Sequence, residues 1–174
     1  MYRTDLTGVL LSRELIAAAN IRLAAAIRQS YPTEPLLLIG VLKGSFVFLS
    51  DLIRELEGSI EVDFLSITSY TDTTSGSLKF HFEPLTSIED KIVIVVEDIV
   101  ETGRTTSCVR SYLKDKGAKS IKVCTLLNKP LGRLVTLEPD YVGFDVAVDD
   151  FVVGYGLDHN ERYRNLPDIH VLRK

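Results

Sequence analysis

One run of the 174-residue chain brings acidic, hydroxylic and basic side chains together at the predicted start of a helix. The apolar segment 92–96 is followed by two adjacent acids, Glu97 and Asp98, and a third acid is Glu101. Residues 102–106 then read Thr-Gly-Arg-Thr-Thr. Threonine hydroxyls and the backbone N–H groups of a first helical turn can donate to one phosphate, and the helix dipole favours the same anion. The run therefore predicts an anion-binding cradle.

The carboxylates of this run need a separate explanation, because they repel phosphate. A ligand fits best if it carries a phosphate together with a diol or a divalent cation, as a sugar phosphate does. Its ribose hydroxyls or a magnesium ion would contact Glu97 and Asp98 at the carboxyl end of a parallel strand, where open α/β sheets bind ligands. On spacing alone one alternative stays open, in which the acids are solvated turn residues and residues 102–106 are an ordinary helix cap. GxxxxGK[ST] is absent and no GxGxxG follows a predicted strand, so both common nucleotide-binding patterns are excluded.

The elements that must position these residues alternate between strands and helices. Apolar residues at four-residue spacing predict a helix over 12–30 that covers a sheet, with a stripe formed by Leu15, Ala19, Leu23 and Ile27. Two further helices are expected, one capped near Ser45 and one that ends at Gly117. Apolar runs predict strands at 36–42, 61–69, 91–96 and 120–128. This alternation predicts an α/β fold with a twisted, mostly parallel sheet flanked by helices.

The pattern changes after Pro130, where the predicted strands become short. They are separated by acidic and glycine-containing turns and lie at 141–148, 151–155 and 169–172. We interpret them as a small appended subdomain. The chain is expected to form one domain over 1–174, with a core over about 10–130 and a hood mainly over about 130–174. The Thr- and Ser-rich loop 71–77 has nothing to bury and is expected to be mobile.

Composition and charge exclude several classes of protein. A net charge of −4 with 45% hydrophobic residues is typical of a chain that folds around a core. No apolar stretch approaches the roughly 20 residues of a membrane helix, and the N-terminus lacks a secretory pattern, which favours the cytoplasm. A pI near 5.4 without a basic run gives no footprint for a nucleic acid or an anionic membrane. Two cysteines predict buried thiols, and the three histidines have no metal-ligand spacing.

Several motifs together resemble those of a known family. Residues 95–106 resemble the phosphoribosyl pyrophosphate signature of type I phosphoribosyltransferases, in which an apolar strand precedes two acids, two apolar residues, an acid, Thr and Gly. The segments 42–46 and 69–70 resemble the pyrophosphate loop and the start of the lid. Lys129 resembles the purine-contacting lysine of the hypoxanthine-guanine phosphoribosyltransferases, and residues 151–158 resemble their base-binding hood. The motifs occur in the family's order, and the resemblance covers about residues 10 to 172.

The resemblance implies an activity in purine salvage. N9 of hypoxanthine or guanine, with xanthine as a further candidate, would attack the anomeric carbon of phosphoribosyl pyrophosphate, giving IMP or GMP and pyrophosphate. Mg²⁺ would assist. The implied partners are these small molecules, without nucleic acid or membrane, and the chain is expected to form a homodimer or a homotetramer. Two alternatives are a regulatory protein that binds phosphoribosyl pyrophosphate without efficient transfer and a catalytically inactive structural subunit.

The resemblance also implies roles for individual residues. Lys129 would donate to the exocyclic oxygen at C6, and since an ammonium only donates, it would reject the amino group of adenine. Phe151 would stack on the purine, and the backbone of Val152 would contact its edge. Arg164 and the backbone of residues 42–44, with a cis peptide often found between the first two, would bind pyrophosphate. Asp158 would hold a second Mg²⁺ through water.

One position departs from the family's pattern. The signature usually carries aspartate where this chain has Glu101, the family's proposed general base at purine N7. The added methylene moves the carboxylate by roughly one bond length, and a misplacement of about 1 Å can cost on the order of 100-fold in rate. Glu101 is therefore expected to face the base as a weaker base, a repositioned base or an electrostatic partner.

The candidate site residues fall into three groups. The catalytic candidates are Glu101, Lys129 and Arg164. The metal candidates are Glu97, Asp98 and Asp158. The substrate-binding candidates are Leu42, Lys43, Gly44, Ser69, Tyr70, Glu97, Asp98, Thr102, Gly103, Arg104, Thr105, Thr106, Lys129, Phe151, Val152, Asp158 and Arg164.

Overall fold

A six-stranded sheet and a separate three-stranded sheet organise the chain in a computed structural model that describes residues 6–69, 78–147 and 151–173. The strands are β1 Leu6–Leu11, β2 Leu36–Leu42, β3 Ile60–Ser69, β4 Leu78–Phe82, β5 Ile92–Val100, β6 Ser120–Asn128, β7 Tyr141–Asp145, β8 Phe151–Val153 and β9 Ile169–Leu172. The helices are α1 Arg13–Ser30, α2 Phe46–Glu55 and α3 Arg104–Asp115, with a short 3₁₀ turn at Pro130–Gly132.

The larger sheet has the strand order β4-β3-β2-β5-β6-β7. Every neighbouring pair is parallel except β3 and β4, which are antiparallel at one edge. The predicted α/β architecture with a mostly parallel sheet is therefore confirmed. The predicted strands at 36–42, 61–69 and 120–128 agree with β2, β3 and β6 to within one residue.

The two faces of this sheet are covered by different helices. Along β5, Ile92, Ile94 and Val96 pack in one cluster with residues of α1 and α2. The alternate residues Val93 and Val95 pack in a second cluster with residues of α3. Because successive side chains of a strand point to opposite faces, the uninterrupted apolar run of β5 indicates a strand that is buried on both sides.

The prediction for α1 was right in its bounds and wrong in one residue of its buried stripe. Ser12 caps the helix, and its hydroxyl accepts a 3.5 Å hydrogen bond from the N–H of Leu15. Leu15 is 53% exposed, whereas Ile16 is 1% exposed and packs in the core. Consecutive helical residues lie about 100° apart, so Ile16 shares the buried face with Leu23 and Ile27 while Leu15 faces away.

The smaller sheet combines the two ends of the chain. β1 pairs with β9, and β9 pairs with β8, both antiparallel. The structure divides the C-terminal segments differently from our interpretation, because β7 extends the larger sheet beside β6 instead of joining the subdomain. A strand at β1 was not predicted. The subdomain, which we call the hood, therefore contains the N-terminal strand β1 together with β8 and β9, and it does not contain β7.

Four smaller findings concern the other predictions. Gly117 has a φ of 82° directly after α3, as expected for a glycine that ends a helix. Cys124 is buried as predicted, whereas Cys108 is partly exposed, and both are free thiols in the described residues. The loop 71–77 lies outside the described residues. Within the described ranges, no helix is both long and apolar enough to cross a bilayer.

Candidate active site

The carboxyl ends of three neighbouring strands bring the predicted site together. β2 and β6 lie on either side of β5 and run parallel to it, with Gly40 paired to Val96 and Asn128 paired to Val100. The segments that follow β2 and β6 therefore emerge at the same edge of the sheet as the acids of β5. This is the position that open α/β sheets use for ligands.

The acids Glu97 and Asp98 lie within β5, which continues to Val100. The prediction that the strand ends before them was wrong. Glu97 is 5% exposed and accepts a 3.1 Å hydrogen bond from the hydroxyl of Thr106. The carboxylate of Asp98 lies against Gly44. Because adjacent strand residues point to opposite faces, the two carboxylates belong to two different cavities.

The smaller cavity, of about 190 Å³, lies where β5 is followed by α3. Gly103 precedes α3 with a φ of 76°, a left-handed conformation that glycine adopts without strain. Arg104 is exposed and is not among the described residues that line this cavity. The lining of the smaller cavity combines the N-terminus of α3 with hydroxyl donors, as an anion cradle requires. The residues are Glu97, Ile99, Val100, Glu101, Thr102, Gly103, Thr105 and Thr106.

The larger cavity, of about 280 Å³, lies between the sheet edge and the hood. It gathers side chains from four separate parts of the chain, and most of them were predicted from the sequence. Ile99 and Leu157 are the exceptions, because apolar residues in a site look like core residues in the sequence. The lining consists of Lys43, Gly44, Asp98, Ile99, Glu101, Lys129, Phe151, Val152, Leu157, Asp158 and Arg164.

Tight backbone packing shapes one wall of this larger cavity. The Leu42–Lys43 peptide bond is cis. A Cβ on Gly44 would lie 1.7 Å from Oδ2 of Asp98, and one on Gly156 would lie 2.2 Å from the carbonyl oxygen of Gly44. Only glycine allows approaches this close. Leu42 itself is not among the described residues that line either cavity.

Ser45 is the N-cap residue of α2, as predicted, but its side chain makes no capping hydrogen bond. Its hydroxyl donates a 2.7 Å hydrogen bond to the carbonyl oxygen of Val41 instead. Ser45 is fully buried, so this hydrogen bond ties the start of α2 back to the end of β2. The bond thereby holds the loop after β2 in place.

Lys129 and Glu101 form an ion pair inside the larger cavity. Nζ of Lys129 lies 3.1 Å from Oε1 of Glu101. The backbone N–H of Lys129 donates a 2.9 Å hydrogen bond to the carbonyl oxygen of Val100, which fixes its position beside β5. Lys129 is 8% exposed, so its ammonium group is directed into the site and not into bulk solvent.

Arg133 holds the backbone of Glu101 in place beside Lys129. The sequence did not indicate Arg133 as a site residue. Its guanidinium donates a 2.9 Å hydrogen bond to the carbonyl oxygen of Glu101 and a 2.5 Å hydrogen bond to Oδ1 of Asn128. Asn128 in turn donates a 2.8 Å hydrogen bond to Asp145 on β7. Arg133 therefore joins the segment after β5 to the end of β6. No spacing in the sequence indicates this role, since an arginine in a polar loop is usually a solvated surface residue.

A network of charges lies where Lys43, Asp158 and Arg164 line the larger cavity. Arg164 pairs with Asp158 at 2.8 Å and with Glu161 at 3.2 Å, and it donates a 2.7 Å hydrogen bond to the carbonyl oxygen of Gly156. Glu161 also pairs with Lys43 at 3.1 Å. Hydrogen bonds from Lys43 and Arg164 lower the pKa of Glu161. The sequence did not single out Glu161, because its partners are distant along the chain or look like solvated charges.

The hood contributes an aromatic residue to the cavity. Phe151 is 45% exposed although it is large and apolar. Its ring meets His159 edge to face, with ring centroids 5.4 Å apart. Val152 is buried beside it. A half-exposed phenyl face directed into a cavity is suited to stacking on a planar ligand.

The two carboxylates of β5 sit in surroundings that disfavour their charged forms. Burial raises the pKa of Glu97 well above its usual range, and the nearby charge of Asp98 raises it further. Burial also raises the pKa of Asp98 to about 6, although backbone hydrogen bonds and the charge of Arg164 lower it. A diol that donates hydrogen bonds, or a divalent cation, would stabilise the charged forms of both groups.

A comparison of the sequence with protein families decides the assignment. The model of the phosphoribosyl transferase domain matches residues 8–160. The chain belongs to this family. The phosphoribosyltransferase is similar to the hypoxanthine-guanine phosphoribosyltransferases of Streptococcus agalactiae serotype V and Bacillus subtilis. It is 42% identical to the first over 176 residues, which cover 100% of this chain and 97% of the relative. It is 43% identical to the second over 175 residues, with coverages of 99% and 97%.

A solved structure agrees with the fold of this phosphoribosyltransferase. The crystal structure of a Bacillus anthracis hypoxanthine-guanine phosphoribosyltransferase superimposes with a TM-score of 0.92 at 40% sequence identity. The match covers 96% of this chain and 99% of that chain. The resemblance inferred from the motifs and the expected type I fold are confirmed, and the protein is a transferase.

Two of the predicted substrate-binding residues cannot be placed at either cavity. Tyr70 lies outside the described residues, and Ser69 is described only as the last residue of β3. The remaining candidates lie at the two cavities or in the segments next to them. The phosphoribosyltransferase therefore has two adjacent cavities at the carboxyl edge of the sheet, and Ile99 and Glu101 line both.

Proposed function

We propose that this phosphoribosyltransferase transfers the phosphoribosyl group to N9 of hypoxanthine or guanine, with xanthine as a third candidate substrate. The observation that carries the proposal is Lys129, which is 8% exposed and directed into the cavity that Phe151 also lines. An ammonium group donates hydrogen bonds and accepts none, so it suits the oxygen of a 6-oxopurine and leaves the amino group of adenine unpaired. The relatives named hypoxanthine-guanine phosphoribosyltransferases support the same substrates.

The two cavities suggest how the substrates are divided. The smaller cavity suits the 5′-phosphate, because it combines Thr105, Thr106 and the N-terminus of α3. The larger cavity suits the purine at Phe151 and Lys129 and the pyrophosphate at Lys43 and Arg164. The ribose would then lie between them, beside the carboxylates of β5.

Catalysis in this arrangement is mainly positioning and electrostatic stabilisation. As the glycosidic bond forms, the ribose becomes oxocarbenium-like and the departing pyrophosphate gains negative charge. Lys43 and Arg164 would stabilise the leaving group, and Asp98 would stabilise positive charge on the ribose. Glu101 would hold the proton of purine N7 while Lys129 donates to the oxygen at C6.

Magnesium fits the donor set of this site. Within the described part of the chain, no group of three or more His, Cys, Asp or Glu side chains is arranged to hold a metal ion. Asp98 and Asp158 both line the larger cavity and would offer carboxylate oxygens, with Asp158 acting through water. Mg²⁺ prefers oxygen ligands and keeps much of its water, so two carboxylates suffice beside substrate phosphates. When bound, the ion would neutralise charge on the departing pyrophosphate.

Three broader features belong to the same proposal. We propose a single domain whose hood closes the larger cavity. The expected cytoplasmic location is part of the same proposal. A homodimer or homotetramer is supported by Phe46, which is 44% exposed at the start of α2, whereas Phe48 and Leu49 are buried in the core. Light scattering in solution measures the oligomeric state directly.

The function is tested by supplying phosphoribosyl pyrophosphate and Mg²⁺ with hypoxanthine, guanine, xanthine or adenine in parallel. Nucleotide formation is followed by the change in purine absorbance. We expect turnover with hypoxanthine and guanine and none with adenine. If phosphoribosyl pyrophosphate binds and no base is converted, the protein is a ligand-binding regulator and the transferase proposal is wrong.

The role of Glu101 can be tested with two substitutions. We expect E101Q to lower kcat by about 100-fold or more, because a general base typically contributes 10²- to 10⁴-fold. E101D keeps a carboxylate and should remain within about tenfold of the original kcat. Steady-state rates with hypoxanthine measure both, with E138Q, at an exposed residue elsewhere, as the control. A kcat for E101Q equal to that of E101D would show that the carboxylate does not act as the base.

A further inference from the structure

A single carboxylate bridges the two cations that we assign to pyrophosphate. Oε1 of Glu161 lies 3.1 Å from Nζ of Lys43, and Oε2 lies 3.2 Å from Nη2 of Arg164. Lys43 and Arg164 both line the larger cavity, and they come from opposite sides of it, one after β2 and the other in the hood. Glu161 therefore holds the two cations together with one oxygen on each.

The local backbone directs Glu161 to this position. Asn160 and Glu161 have φ values of 52° and 61°, so the chain makes a left-handed turn here. The N–H of Glu161 donates a 2.9 Å hydrogen bond to Oδ2 of Asp158, which closes the turn. These contacts belong to the backbone and to Asp158, so they remain when the Glu161 side chain is changed. The carboxylate can then leave the cations without unfolding the turn.

The same cations cannot serve Glu161 and a pyrophosphate equally well. A carboxylate and a phosphate both bind guanidinium and ammonium groups through oxygen, and they repel each other at short range. Pyrophosphate carries several negative charges and Glu161 carries one. At sufficient concentration pyrophosphate therefore displaces the Glu161 carboxylate from the two cations. Every binding event nevertheless includes the cost of breaking the two ion pairs of Glu161.

We infer that Glu161 is a built-in competitor of pyrophosphate, which occupies Lys43 and Arg164 when the leaving group is absent and so weakens its binding and favours its release. The inference rests on the proposed function, because it takes these two residues as the pyrophosphate site. Glu161 does not contact the reacting atoms in this role. It controls how tightly the product and the diphosphate end of the substrate are held.

The test is E161Q, which keeps the size of the side chain and removes its charge. We expect the inhibition constant of magnesium pyrophosphate to fall by about 3- to 10-fold, because partly exposed ion pairs contribute a few-fold each to an equilibrium. The KM for phosphoribosyl pyrophosphate should fall in the same direction, while the KM for hypoxanthine should not change. The matched control is E61Q, whose carboxylate pairs with Lys91 at 2.7 Å away from the two cavities.

Two readouts separate the possible results. Titration calorimetry with magnesium pyrophosphate alone measures the affinity without turnover, and thermal unfolding shows whether E161Q is folded. Weaker or unchanged pyrophosphate binding by a folded E161Q would overturn the inference, and weaker binding would show that Glu161 positions the cations instead. If the unmodified protein neither forms nucleotide nor binds pyrophosphate, it is the proposed function that fails.

Discussion

Replacing Gly44 with alanine is expected to reduce kcat/KM by at least about 100-fold. The added Cβ would lie 1.7 Å from Oδ2 of Asp98, so the carboxylate or the loop after β2 has to move. Gly44 is also confined from the other side, since its carbonyl oxygen lies against Gly156. A displacement of about 1 Å at a reacting centre can cost on the order of 100-fold in rate. Steady-state kinetics with hypoxanthine measures the effect.

The matched control for G44A is G8A, because a Cβ on Gly8 meets nothing within 4 Å. G8A should keep its activity within about twofold. Thermal unfolding of both variants separates a loss of fold from a displaced loop, and a folded G44A with pyrophosphate affinity reduced by a similar factor is expected. Activity of G44A within about fivefold of the original would show that the close approach to Asp98 is not needed for catalysis.

Replacing Lys129 with glutamine is the second change with a large expected effect. A hydrogen bond from a charged donor contributes about 1.5–3 kcal/mol, so kcat/KM for hypoxanthine should fall by roughly 10- to 100-fold. The ratio of hypoxanthine activity to adenine activity should fall as well. A glutamine amide has both a donor and an acceptor, and its oxygen can accept from the amino group of adenine. Parallel assays with the two bases measure both changes.

A suitable control for K129Q lies on β6, the strand that directly precedes Lys129. Lys122 on β6 pairs with Asp140 at 2.8 Å, as Lys129 pairs with Glu101, and it is not among the described residues that line either cavity. K122Q removes the same charge and should leave activity and base preference unchanged. An unaltered ratio of hypoxanthine to adenine activity in K129Q would contradict the assignment of base discrimination to this lysine.

Much of the candidate site could be predicted from the sequence because its parts are local. The run from Glu97 to Thr106 contains Glu97, Glu101, Gly103 and the three threonines, and all of them line the smaller cavity. The purine and pyrophosphate candidates were identified by motif order, and nine candidate residues, with the metal candidates Asp98 and Asp158 included, line the larger cavity. Sequence reasoning is reliable here because the chemistry depends on neighbours within a few residues.

The relative orientation of Glu97 and Asp98 could not be predicted in the same way. The apolar pattern ends at Val96, so the strand was expected to end there, whereas it continues to Val100. Its extension depends on pairing with β6 as far as Asn128, which is a contact between distant parts of the chain. Once the strand continues, its twofold alternation places the two acids on opposite faces.

The local elements and the family could be identified from the amino-acid sequence alone. Periodicity and turn residues set the bounds of α1, β2 and β6, and the ordered motifs identified a phosphoribosyltransferase. Only the tertiary structure decided which groups meet across long separations. The pairing of β1 with β9, the support of Glu101 by Arg133 and the bridge of Glu161 between Lys43 and Arg164 are of this kind. Such contacts leave no periodic signal, because they arise from the packing of elements and not from the spacing of residues along the chain.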